Sequence, residues 1–235
     1  MTPFAIKSVR PLAAALTLFL ATTHAVLGQE RVLAGYNCAV TPPDGWQLMT
    51  NLPPRPGLVA LFAKADKTAL LFLLIDDHNE VSGPLDDRFV SEFERGVEAA
   101  GGGKRVSGKF VEVAGIKSYE RLGNASANGK RASTIMQAVP TEGRIYSLLA
   151  MRFDWGASED HEIRKALASF RFIKAPAVPS QLSSSRSTAY RIGYTIGNAT
   201  GIALLIGATL AVVKAIKSRK AKLHRTTPPP LPPSH

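Results

Sequence analysis

The stretch "IDDHNE", residues 75–80, gathers Asp76, Asp77, His78 and Glu80 where an apolar run ends. Carboxylate oxygens and an imidazole are ligand types that can hold a divalent cation. Consecutive residues rarely converge on one centre, so the segment reads as a polar loop closing a buried strand, and no metal site is assigned. "GKRVSGKF", residues 103–110, matches most of a phosphate-binding loop: Gly103, four residues, Gly108 and Lys109. That chemistry needs Ser or Thr next, where Phe110 stands, and a strand before with a helix after, so that helix-terminal amides face the phosphate. The order here is helix then strand, which makes the match fortuitous. "SEDHE", residues 158–162, places His161 at a helix start, with Ser158 as the expected N-cap. There is no serine elbow, no HExxH, and no histidine paired with the single cysteine, Cys38, which reads as a small strand residue. No catalytic, cofactor-binding or metal residue is assigned.

The elements that would position such groups are short strands and two helices. "RVLAGYNCAV" and "WQLM" flank the turn "TPPDG", and "LVALFAKAD" with "TALLFLLID" forms a hairpin turning at Asp66-Lys67. The second hairpin strand is almost wholly apolar, which predicts a central strand buried on both faces. In "SGPLDDRFVSEFERGVEAAGGG", Leu85, Phe89, Phe93 and Val97 recur every four residues among charged ones. Pro84 suits the first helical position, Asp86 and Asp87 the positive helix end, and Gly101 the stop. Four further strands, "KRVSGKFVEVAG", "IKSYERLGNAS", "KRASTIMQAV" and "RIYSLLAMRF", follow with hairpin-length turns. A last helix buries Ile163, Leu167 and Phe170. The expected fold class is α+β, a largely antiparallel sheet flanked by helices.

Over residues 32–173 the chain resembles the PsbP/DcrB-like superfamily. The resemblance lies in "VTPPDGW" after a first strand, an amphipathic helix ending in glycine, the "VEVAGIKSYE" hairpin, and a terminal helix closing with "SFRF". It implies a small exported or organellar domain that acts as an accessory or binding module, often lipid-anchored in bacteria. It supplies no shared catalytic residue.

Charge and hydropathy organise the rest. The net charge is +11, but residues 29–178 carry only +1 of it, residues 1–28 carry +2 and residues 179–235 carry +8. Basic ends around a neutral middle fit the flanks of membrane segments rather than a face that reads nucleic acid. Residues 1–28 have a positive start, a short apolar stretch and small residues, as a signal peptide does. An exported domain over 29–174 and a Pro/Ser-rich linker over 175–189 follow. From Ile192 to Val213 there is no Asp, Glu, Lys or Arg. That run makes roughly 33 Å of helix against a hydrocarbon core of about 30 Å. A transmembrane helix is therefore expected over 190–216, with a basic, Pro-rich cytoplasmic tail over 217–235. The expected location is a cell membrane, single-pass, with the domain outside the cytoplasm.

Within that run Gly193, Gly197 and Gly201 share one helix face, and Asn198 stands beside them. Such small-residue strips let helices approach closely in membranes, and an amide can hydrogen-bond across the contact. The expectation is a helix–helix contact there, with a protein partner or a second copy. The function that follows is a membrane-anchored, non-enzymatic binding domain acting on a protein partner in or near the membrane. An exported hydrolase or metal-dependent enzyme, or a small-ligand carrier, is the alternative.

Overall fold

The computed structural model describes residues 28–50, 57–77, 85–127, 130–153, 156–177 and 189–201. Strands β1 (Arg31–Leu33) and β2 (Cys38–Val40) pair antiparallel with β10 (Arg171–Phe172) in a small sheet, and the turn of 3-10 helix Ala34–Tyr36 joins the first two. Strands β3 (Trp46–Leu48), β4 (Leu58–Lys64), β5 (Ala69–Asp77), β6 (Lys104–Val113), β7 (Ile116–Ala127), β8 (Lys130–Thr141) and β9 (Arg144–Phe153) form the main sheet. Its order is β3-β4-β5-β9-β8-β7-β6, and every neighbouring pair is antiparallel.

Hairpin turns set this order. Ala114 and Gly115 both take positive φ between Val113 and Ile116, the two-residue geometry that matches strand twist. Lys67 (φ 61°) and Gly143 (φ 74°) turn the β4–β5 and β8–β9 hairpins. β5 is apolar throughout because each face of it is covered. Leu70, Phe72 and Leu74 enter the core on one side, and Ala69, Leu71, Leu73 and Ile75 enter the core on the other.

Helix α1 (Asp87–Ala99) covers the first face, with Leu85, Phe89, Phe93 and Val97 all buried at the predicted spacing. Asp86 caps it, accepting from Phe89 N at 2.7 Å, so the helix starts later than Pro84, which lies outside the described residues. Gly101, at φ +74°, ends it, and Gly102 N reaches back to Val97 O at 2.8 Å. Helix α2 (His161–Ala168) and the small sheet cover the second face, burying Ile163, Leu167 and Phe170. Its cap is Asp160, not the expected Ser158. The Asp160 carboxylate both accepts from Ile163 N at 3.1 Å and pairs with Arg152 of β9, two bonds that a serine hydroxyl could not match.

Residues 189–201 form a third helix, α3, and they change the layout expected at the C-terminal end. In place of a span standing clear of the domain, this part of the apolar run lies beside α1 on the first sheet face. Ala189, Ile192, Ile196 and Ala199 belong to the same core as Phe93 and Leu74. Among the described residues, no helix is long and apolar enough to cross a membrane. The residues before 28, where a signal peptide is expected, and the chain from 202 onward lie outside the described residues, as do residues 178–188 of the expected linker.

Candidate functional site

The expected contact residues divide in two. Gly193 and Gly197 meet α1, whereas a Cβ at Gly201 would meet nothing within 4 Å among the described residues and Asn198 is exposed. A side chain at Gly193 would strike the Phe93 carbonyl, and its Cβ would stand 3.0 Å from Val97 N. At Gly197 a Cβ would be 2.6 Å from Val97 O and 2.7 Å from Ala100 Cβ. The other helix is equally bare. A Cβ on Gly96 of α1 would lie 2.8 Å from Tyr194 N, and one on Gly102 would lie 2.8 Å from Gly197 Cα. Backbone therefore meets backbone, which only glycine on both sides permits.

The sequence did hold a sign of this contact. A glycine inside a helix costs about 1 kcal/mol relative to alanine, and Gly96 sits mid-helix in α1 with no turn to justify it. Around the glycines, the Arg95 guanidinium lies over the Tyr190 ring at 5.2 Å, and Tyr190 stacks on Tyr194. Toward the sheet, Ile192, Thr195 and Ile196 close on Gly57, Leu74, Ile75, Asp76 and Ser147. The cleft left between them is about 10 Å³, room for one water.

Beneath α1 lies a buried ion network that motif reading missed. Tyr119, Glu120 and Arg121 are consecutive on β7, so Glu120 faces away from the other two. On the α1 side, Glu94 accepts from Tyr119 Oη and from Arg121 Nε, each at 2.7 Å. Arg121, wholly buried, also donates to Gly103 O at 2.8 Å, while its Nη1 finds no acceptor. Two glycines make space for the network. A Cβ at Gly123 would strike Arg121 Nη1, and one at Gly108 would strike Tyr119 Oη. On the α2 side, Glu120 accepts from Arg164 Nη1 at 2.7 Å and Gln137 Nε2 at 2.8 Å. β7 thus holds one helix on each face through an ion pair, buried toward α1 and partly exposed at Arg164 toward α2.

Burial first, and then the hydrogen bond to Glu94, push the Tyr119 phenol well above its ordinary value. The folded state then keeps a proton that the unfolded chain releases at about pH 10. Stability carried by this group is complete below that pH and is lost as pH rises beyond it. Urea midpoints should therefore carry this contribution in full up to about pH 10 and lose it above, and Tyr119→Phe should flatten part of that fall.

The remaining sequence candidates are dispersed. Asp77 pairs with Arg144 at 2.5 Å and Asp76 borders the small cleft, while His78 and Glu80 lie outside the described residues. His161 is exposed at the start of α2. Among the described residues no three of His, Cys, Asp and Glu cluster as metal ligands would. Gly103 and Gly108, the loop-like glycines, serve Arg121 and Tyr119, and the residues from Lys104 onward are a strand. Cys38 is buried, and burial pushes its thiol up to about 11, too high for a nucleophile at neutral pH.

At the far edge of the sheet, β6 offers ten residues with no strand on their outer side among the described residues. Val106, at a bulge, is 62% exposed and Phe110 is 41% exposed. Lys104, Arg105, Lys109 and Lys117 are exposed around them, and Lys117 Nζ sits 4.7 Å from the Phe110 ring centre.

With this geometry the domain has a PsbP-like fold. It superposes on the solution structure of cyanobacterial PsbP from Synechocystis with a TM-score of 0.50 at 12% identity, covering 65% of this chain and 98% of that one. Two further similar structures are LpqN of Mycobacterium tuberculosis, involved in cell envelope biogenesis, and the Ran-binding protein Mog1p of Saccharomyces cerevisiae. LpqN gives a TM-score of 0.44 at 17% identity, covering 63% of this chain and 86% of that one. Mog1p gives 0.45 at 9% identity, covering 65% and 97%. No family model matches the sequence, and no curated protein matches it. Identities this low speak to fold alone.

Proposed function

We propose that this chain is a non-enzymatic binding domain, tethered to a membrane by its C-terminal apolar run and facing away from the cytoplasm, and that it acts on a protein partner there. The β6 edge carries the reading. An edge strand left unpaired is a template for another chain, and proteins commonly blunt it with lysines and bulges. Both devices are present, and they disfavour a second copy of the same basic edge. Yet Val106 and Phe110 remain exposed among four cations. This combination suits an acidic, extended segment of a different protein, joined by strand addition with an aromatic anchor.

The test is a photo-crosslinking residue at Val106 in the full chain, in its native membrane. One acidic protein should be captured, and Phe110→Glu should reduce that capture at least about tenfold, the loss typical of a central anchor. Capture of only non-specific neighbours, or turnover of a substrate by the isolated domain, would overturn the proposal. The tether has a separate check. A reporter active only in the cytoplasm, fused at the C-terminus, should be active.

A further inference from the structure

The apolar run from Ile192 to Val213 has 22 residues, and its first part is built into the domain. If 189–201 stay on α1, only the 12 residues 202–213 remain for a membrane. These make about 18 Å of helix, well short of a hydrocarbon core of about 30 Å. Docking and spanning therefore cannot both be satisfied.

Resting on the membrane-tether reading above, we infer that residues 189–201 have two mutually exclusive seats, the α1 groove and the bilayer, so that insertion uncovers the groove. The groove is a helix-binding surface whose occupant in the docked state is this chain's own segment. The segment suits both seats. Its two threonine hydroxyls are satisfied within the helix, Thr195 Oγ1 to Arg191 O at 3.0 Å and Thr200 Oγ1 to Ile196 O at 3.1 Å, which is what lipid requires of them. Its glycine stripe fits a neighbouring backbone in either medium. The consequence of leaving differs between the two partners. The helix exchanges protein contact for lipid, but α1 and β5 lose their cover over Phe93, Val97 and Leu74, which share a core with Ile192 and Ile196. The uncovered strip would be an apolar groove floored by Gly96, close to the membrane surface.

The test uses the full chain with Arg95→Cys and Tyr190→Cys, a pair in contact across the groove. The native Cys38 is fully buried and is left in place. The protein is synthesised with or without vesicles of phosphatidylethanolamine and phosphatidylglycerol, then treated with a short bismaleimide. Without vesicles the pair should link. In protein that resists alkaline extraction from vesicles, linkage should drop at least about tenfold, the change expected when one seat is vacated for the other. Protein linked before vesicles are added should remain extractable. Equal linkage in the alkali-resistant fraction would overturn the two-seat inference while leaving the tether intact. Failure to link without vesicles would also overturn it, by removing the groove seat. If the chain never becomes alkali-resistant, the tether reading itself fails, and the inference falls with it.

Discussion

Glu94→Ala should lower the unfolding free energy of the domain by about 3–5 kcal/mol, the loss found when one partner of a buried ion pair is removed. The Arg121 guanidinium has no access to water, and Glu94 is its only carboxylate partner among the described hydrogen bonds. Tyr119 Oη would lose its acceptor in the same step. Against a total stability of about 5–15 kcal/mol for an ordinary domain, this is a large fraction. Equilibrium unfolding in urea measures it. The double variant Glu94→Leu/Arg121→Leu should recover most of the loss, because no charge is then left buried and apolar replacements of a buried pair are often tolerated. A double variant as unstable as Glu94→Ala would show that the network acts through packing rather than charge.

Gly193→Leu and Gly197→Leu should each force α3 off α1, whereas Gly201→Leu should leave it in place. At the first two positions the added atoms would run into α1, at the Phe93 and Val97 carbonyls and at Ala100 Cβ, and a carbonyl cannot rotate out of the way as a side chain can. Overpacking of this kind costs about 1–3 kcal/mol. The cost falls on a helix held by one face, so local release is a lower-energy outcome than global unfolding. At Gly201 a Cβ would meet nothing within 4 Å, and a change of under about 0.5 kcal/mol is expected. Hydrogen exchange on the full chain reads the difference. Protection over 189–201 should be lost in the first two variants while β5, β8 and β9 stay protected. Equal effects at all three glycines would restore the reading of a single strip facing one external partner.

The comparison of these three positions shows how much the sequence could say. Spacing alone made Gly193, Gly197 and Gly201 equivalent, because residues four apart share a helix face whatever lies opposite. What lies opposite is α1, which ends at Ala99, so the third glycine passes beyond it. The buried face and the end of α1 were legible, but its start was not, since Asp86 caps it although Pro84 is the expected first helical residue. Its four buried apolar residues and its closing glycine follow from local geometry that any such helix obeys. The cap of α2 was not. Ser158 and Asp160 are both good caps, and the choice was made by Arg152, which pairing of β5 and β8 with β9 brings to the helix start.

By itself the sequence determined the α+β class, the β4–β5 hairpin and the hairpins from β6 to β9, both amphipathic helices and the doubly buried β5, all of which are set by periodicity and turn chemistry over a few neighbouring residues. It also fixed the charge asymmetry of the chain. It did not show that residues 31–40 split into β1 and β2, which pair with each other and with β10 rather than with β3. Only the tertiary structure decided that Glu94, Tyr119 and Arg121 form one network, since nothing in a sequence states which helix will cross which strand. Only the tertiary structure set Gly96 against Tyr190 and Tyr194, nearly a hundred residues along the chain. Hydropathy marks residues 192–201 as wanting to leave water, and that preference is the same for lipid and for a protein core. Where they go depends on whether a groove of matching shape is within reach, and that is a property of the folded domain.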